Sequence, residues 1–353
     1  MAALQILAGP TAYTQLEQHG FQQSLFTQLF AASGGPKWLS IAGLDQYLFS
    51  EFFADRDQPL YTMGASSGAW RIACFAQQNP KAAYERLIEH YVHQRYETKP
   101  SRQQVNEQVS RIITGVLGEQ QGADIVSNEI IRSHFVVCRA RGLNKIRAKA
   151  GLGLGLALTA ATNIMSRRSV KLHFERVIVS HQDTLSPFAS LSDLPTRQAQ
   201  LTEQNLQSTL MATGAIPLLL NPVRDIFGLP KGKYYDGGIT DYHFDMPLPP
   251  KAGLSLYPHF YPQVSPGWFD KSLPWRKAAS NLHNAVILAP TDAFIQQLSK
   301  AKIPDRNDFS QLETQERIDF WLASAKSSWQ LAEELHEIIA SNQLMAHVQR
   351  IHD

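Results

Sequence analysis

Apolar residues recur along the chain in two rhythms separated by glycine turns, and their alternation predicts the fold class. Residues 24–35, SLFTQLFAASGG, read as a strand running into a glycine turn. Residues 36–53, PKWLSIAGLDQYLFSEFF, carry apolar side chains at helical spacing, with Pro36 suited to a first helical turn. The pattern repeats with LYTMGASSG (60–68) as strand and turn and AWRIACFAQQ (69–78) as helix. Two strand–turn–helix units in succession predict an α/β layered fold with a largely parallel sheet.

Residues 80–133 are helical and polar, as in the amphipathic KAAYERLIEHYVHQRY, and predict an insertion or cap packed on the sheet. Strand patterns follow at 134–142 and 170–180, and a helix ending in Gly214 at 201–214. Residues 231–242 read as a strand ending in a tight turn, NAVILAPT as one more strand, and 316–348 as a long helical region. With no internal repeat, low-complexity tract or linker, the chain is expected to be one domain over 1–353, with a helical C-terminal extension from about residue 250.

The most apolar stretch, AGLGLGLALTAATNIM (150–165), lies between Lys149 and the pair Arg167 and Arg168. It is shorter than the roughly 20 residues that span a bilayer. Two readings stand: a buried glycine-rich helix or loop, or a peripheral membrane contact in which Leu154 and Leu156 meet lipid.

Composition narrows the class. With 44% hydrophobic and 18% charged residues, the chain can bury a large core, which excludes a disordered or fibrous protein. The net charge is +2 with its lysines and arginines scattered, so no nucleic-acid partner is expected, while a mildly basic face toward anionic lipid remains open. Cys74 and Cys138 lack metal-ligand spacing and read as free thiols of a reducing compartment. The first residues show no basic leader followed by a sustained apolar region, and a cytoplasmic location is expected.

Three short motifs carry candidate chemistry. Gly64-x-Ser66-x-Gly68 sits between a predicted strand and a predicted helix, where a sharp turn lifts a serine clear of the sheet and sets it at the positive end of the helix. Ser66 reads as a nucleophile; the alternative is an ordinary glycine turn. In SGGPKW (33–38), Gly34 and Gly35 can turn their amides toward an oxyanion, and Lys37 adds charge or anchors the loop. In YYDGG (234–238), Asp236 ends a strand and can accept the serine proton, given burial or close hydrogen bonding to raise its basicity. Each of these two also reads as a plain turn.

SGGPKW, GASSG and YYDGG in this order, with MATGAIPLLLNPV (211–223) shortly before the aspartate, resemble the patatin-like phospholipase family over residues 25–245. The resemblance implies a three-layer α/β fold with a mainly parallel central sheet and a Ser–Asp dyad acting on acyl esters of lipids, without metal or cofactor. It implies Ser66 as nucleophile, Asp236 as its partner, and Gly34, Gly35 and Lys37 as the oxyanion loop. Phospholipids or lysophospholipids would be the substrates. Trp38 stands where the family usually has glycine, which would bear on the acyl entrance.

Two further readings share these residues. An α/β-hydrolase-type esterase would add a histidine after Asp236, for which His259 and His283 are available. A non-catalytic lipid-binding protein would keep the fold without turnover. Asp241, His243 and Asp245 alternate in DYHFD, a spacing open to a metal site but equally produced by a strand.

Overall fold

The computed structural model describes residues 2–96, 100–146, 148–181, 183, 185–249, 252–278, 280–341 and 343–351. Among them eleven strands form one mixed sheet. In chain order these are β1 (Leu4–Ala8), β2 (Phe26–Ala31), β3 (Leu60–Ala65), β4 (Ile131–Ala140), β5 (Phe174–Ser180), β6 (Thr196–Gln200), β7 (Val223–Arg224), β8 (Lys233–Asp236), β9 (Leu254–Pro258), β10 (Ala285–Pro290) and β11 (Val348–Arg350). The main path runs β11-β1-β10-β9-β2-β3-β4-β5-β6, with β8 on β4 and β7 on β8.

The central strands β9, β2, β3 and β4 run parallel, as the strand–turn–helix units predict. Antiparallel pairs join β1 to β10, β4 to β5, and β8 to both β4 and β7, so the sheet is mixed though mostly parallel. Strands β2 and β3 and the stretch Phe135–Cys138 of β4 are buried and mostly apolar, which makes them legible as strands, whereas β9, equally buried, is not.

The segment beyond residue 250 is not a helical extension. Its strand β9 lies between β10 and β2 in the middle of the sheet, and β11 closes the far edge beside β1. The helical region expected over 316–348 consists of the helices Thr314–Ser327, Trp329–Ala340 and Leu344–His347, and Trp329–Ala340 packs on β1.

Three other expectations shift. The polar insertion consists of helices Pro80–Val92, Arg102–Leu117 and Ala123–Ser127, but residues 131–133 already belong to β4. Residues 170–173 form a helical turn, Val170–His173, before β5 begins. The helical pattern at 36–53 is broken into a 3-10 segment (Gly35–Ile41), an α-helix (Ala42–Tyr47) and a π turn (Leu48–Phe52). The break has a tertiary cause: the Gly43 amide donates to Ser328 Oγ at 2.7 Å, outside any helical ladder.

Helix Ser67–Phe75 packs on β2, β3 and β4, and helix Glu203–Thr213 on β4 and β8. Helix Lys149–Met165 contributes Leu152 and Leu156 to a separate small core with Cys138, Ala140, Phe174 and Tyr235. Both cysteines are free and buried. No helix among the described residues is long and apolar enough to cross a membrane.

Candidate active site

The site forms where two strand ends meet. Ala65, the last residue of β3, pairs with Val136 of β4, and Asp236, the last residue of β8, pairs antiparallel with the next residue, Val137. Strands β3 and β8 thus run toward each other along one edge of β4, and the residues at their tips converge.

Ser66 follows Ala65 at φ 54°, ψ −131°, a backbone conformation that costs a residue with a side chain about 1 to 3 kcal/mol. The helix Ser67–Phe75 starts immediately after it. This sharp turn needs Gly68, because a Cβ there would lie 1.9 Å from the Ala31 carbonyl oxygen of β2. The Ser66 amide donates to Thr213 Oγ1 at 2.9 Å, and that hydroxyl donates to the Val136 carbonyl at 2.6 Å. Two residues further on, the Ala215 carbonyl accepts the Asp236 amide at 3.0 Å. The segment 213–215 therefore ties both strand tips together. Sequence reading assigned these residues no role, since a threonine at a helix end reads as ordinary helix.

Ser66 Oγ donates to Asp236 Oδ2 at 2.8 Å, and the Gly238 amide donates to Asp236 Oδ1 at 2.7 Å. Burial pushes the Asp236 carboxyl up to about 6, opposed by Arg306 and by the hydrogen bonds from Gly238 and Ser66. At neutral pH it is a carboxylate of unusually high basicity, already bonded to the serine proton.

The loop from Ser33 lies across these tips. Ser33 Oγ donates to the Ala65 carbonyl at 3.1 Å, and its amide donates to the Tyr242 carbonyl at 2.9 Å. Gly35 adopts φ +60°, the left-handed region that favours glycine, and opens the 3-10 segment with Pro36 in its first turn. The amides of Gly34 and Gly35 meet no acceptor among the described residues. Burial lowers the pKa of Lys37, whose ammonium lies 5.6 Å from the Tyr261 ring centroid.

Two cavities adjoin at Ser66. A polar chamber of about 380 Å³ is lined by Gly34, Lys37, Asp236, Lys271 and Arg306. An apolar groove of about 680 Å³ passes Gly35, Trp70, Tyr91, Val109, Ile112 and Leu220. Ser66, Ile216 and Arg306 line both. Lys271 and Arg306 lie far from the three motifs in the chain and carry no motif of their own. Trp38 does not narrow the groove: it is fully buried, edge-on to Tyr84 and Tyr91 at 5.5 Å each, and supports Tyr91 from behind.

The other candidates lie elsewhere. His259 is buried among His243, Tyr257 and Phe260, and burial lowers its pKa to about 3. His283 is exposed, its carbonyl accepting the amides of Thr11 and Ala12. Among the described residues no histidine lines either cavity. Within DYHFD, Asp241 binds Arg176 through both oxygens, His243 Nδ1 accepts the Ser265 amide, and Asp245 accepts from Asn281. No family model matches this chain, and no curated protein matches it.

Proposed function

We propose that the chain is a serine acyl hydrolase of the patatin-like phospholipase kind, cleaving acyl esters of lipids through Ser66 and Asp236. The observation that carries this reading is the 2.8 Å bond from Ser66 Oγ to the buried Asp236 carboxylate, at the junction of an apolar groove and a polar chamber. The groove suits an acyl chain and the chamber the alcohol half of the ester.

Asp236 takes the Ser66 proton as Oγ attacks the ester carbonyl carbon, and the Gly34 and Gly35 amides with Lys37 hold the oxyanion. Collapse of the tetrahedral intermediate breaks the bond to the alcohol oxygen, which receives the proton from Asp236. Water then gives a proton to Asp236 and attacks the acyl carbon; the acid departs and Ser66 recovers the proton. The direct Ser66–Asp236 bond, with His259 and His283 both outside the cavities, favours this dyad over a histidine triad.

The same reading gives the helix Lys149–Met165 a role in peripheral membrane contact. Its exposed side carries Leu154, Ala157, Leu158, Ala161, Ile164 and Met165, an apolar stripe turned to solvent, while Thr159 and Asn163 are buried. Basic residues Lys145, Lys149, Arg168 and Lys171 are exposed around its ends. Asn163 donates to Asp270 at 2.7 Å, next to the Lys271 that lines the chamber, so a docked helix would hold the site at the lipid surface.

A fluorophosphonate probe tests the function. Intact mass should show one adduct on the wild-type protein, lost in Ser66→Ala, and a mixed phospholipid extract should release fatty acid with the wild type alone. Folded wild-type protein that takes no adduct and releases no acid would favour a non-catalytic lipid-binding protein.

A further inference from the structure

The polar chamber holds more positive charge than acyl transfer requires. Lys37 enters from the loop after β2, Lys271 from the turn behind Trp268–Asp270, and Arg306 from the segment before the helix Asp308–Gln311. The whole chain has a net charge of only +2, so three cations around one cavity are a local arrangement.

None of the three is in an ion pair or donates a side-chain hydrogen bond among the described residues. Lys37 lies over the Tyr261 ring, and Lys271 lies 4.7 Å from the Tyr242 centroid. Asp305, also on the chamber wall, is bound by Lys302 at 2.9 Å. That lysine is shared with Asp308 at 2.6 Å, so Asp305 counts with Asp236 as an anion of the chamber. Three cations against two carboxylates leave an excess of one positive charge beside Ser66.

Like charges gathered in one partly buried space repel. Burial, then Arg306 and Lys37, lower the pKa of Lys271 to about 8. A bound dianion would relieve this repulsion. A phosphate monoester carries about −1.5 to −2 at neutral pH, enough to offset the excess, and offers oxygens to both guanidinium and ammonium donors.

We propose that Lys271 and Arg306, beside the Lys37 of the oxyanion loop, form a binding site for a phosphate monoester borne on the alcohol half of the ester. Its place on the substrate rests on the acyl-transfer reading, in which the groove takes the acyl chain. A head group that caps the phosphate with a cationic amine lowers the net charge and is disfavoured. The favoured substrate class is therefore an acyl ester of a phosphorylated alcohol, of the type of 1-acylglycerol 3-phosphate.

Calorimetric titration with glycerol 3-phosphate, glycerol and inorganic phosphate tests the site on the wild type and on Ser66→Ala. Glycerol 3-phosphate should bind at least tenfold more tightly than either of the others, and Lys271→Gln or Arg306→Gln should weaken it at least tenfold. Lys300→Gln, on the outer surface, should not weaken it. In turnover, kcat/KM for 1-acylglycerol 3-phosphate should exceed that for the same-chain 1-acylglycerol at least tenfold, and the ratio should collapse in the two chamber variants. Thermal melts identify any variant that has lost its fold.

The site is overturned if the wild-type ratio is near one, if the chamber variants slow both esters equally, or if inorganic phosphate binds as tightly as glycerol 3-phosphate. Ser66 labelled by the fluorophosphonate without glycerol 3-phosphate binding brings down the phosphate site alone. An unlabelled Ser66 with tight glycerol 3-phosphate binding brings down acyl transfer and leaves the phosphate site standing.

Discussion

Ser66 and Asp236 are separated by 170 positions in sequence and by 2.8 Å in space. The sheet register accounts for this: Ala65 and Asp236 pair with Val136 and Val137, so the two strand tips abut on one edge of β4. A contact built on two strand ends is stiffer than one built on loops, and it can hold a strained serine and a buried carboxylate together. Both features cost stability, which makes the site testable by melting as well as by turnover.

Asp236→Asn should abolish turnover yet stabilise the fold at neutral pH. Burial raises the Asp236 pKa to about 6, so the protonated form is the one the folded state favours. That contribution is full below the unfolded value near 4 and is lost as pH rises through about 6, a difference of about 3 kcal/mol. Asparagine keeps an acceptor for the Gly238 amide and never ionises. The melting temperature of the variant minus that of the wild type should rise between pH 4 and pH 7 and then level off; a flat difference would contradict the buried-carboxylate account.

Acid should silence the wild type with a midpoint near pH 6, because only the ionised Asp236 accepts the Ser66 proton. Measured as kcat/KM on a neutral ester, the rate should fall about tenfold per pH unit below that midpoint. A midpoint near 4 would mean that the carboxylate is solvated.

Thr213 is a positioning residue, joined to Ser66 and to the Val136 carbonyl but to neither cavity. Thr213→Val preserves shape and leaves two buried groups without partners, at about 1 to 3 kcal/mol each. We expect a lower melting point and a fall in kcat greater than any change in KM, with Thr213→Ser restoring both. Equal loss in the serine variant would point to packing instead.

Much of this was readable from the chain. The runs ending at Ala31, Ala65 and Asp236 announce strands, and the glycines after each announce the turns that carry the candidate residues. Strands β1, β6, β7, β9 and β11 were not legible: each has five residues or fewer, and none carries a motif like the Asp-Gly-Gly that marks β8. Lys271 and Arg306 escaped notice because only tertiary packing brings them to Ser66. In the stretch 150–165, leucines at 152, 154, 156 and 158 alternate, and alternation gives no helical phase. The structure shows that Leu156 is buried and Leu154 is 63% exposed, so only one of the two residues named for lipid contact faces outward.

Removing the buried partner of Arg71 should be the most damaging single change outside the site. Asp45 holds Arg71 through both oxygens at 2.6 and 2.8 Å, both side chains are fully buried, and the Tyr84 hydroxyl donates to the same carboxylate. Arg71 lies in the helix that follows Ser66, so the pair pins the turn from behind. Asp45→Asn leaves the guanidinium without its counter-charge, at a cost of about 3 to 5 kcal/mol. Denaturant melts should show a loss of that size, and a loss below 1 kcal/mol would mean that water reaches Arg71.

The outward stripe of the helix Lys149–Met165 gives the sharpest separation between fold and membrane contact. Leu154, Leu158 and Ile164 are 63%, 44% and 54% exposed, so serine at all three removes little packing. Each such side chain transferred into lipid contributes about 1.5 to 3 kcal/mol, so the triple variant should lose vesicle binding by at least tenfold. Leu156→Ser, by contrast, puts a hydroxyl into the small core with Phe174 and Tyr235 and should lower the melting point. With Lys149, Arg168 and Lys171 exposed near the stripe, vesicles containing anionic lipid should bind more tightly than neutral ones, and salt should narrow the gap. Co-sedimentation with both vesicle types, beside fluorophosphonate labelling of Ser66 in solution as the check on folding, decides the matter. Unchanged sedimentation of the triple variant would leave this face without a part in lipid binding.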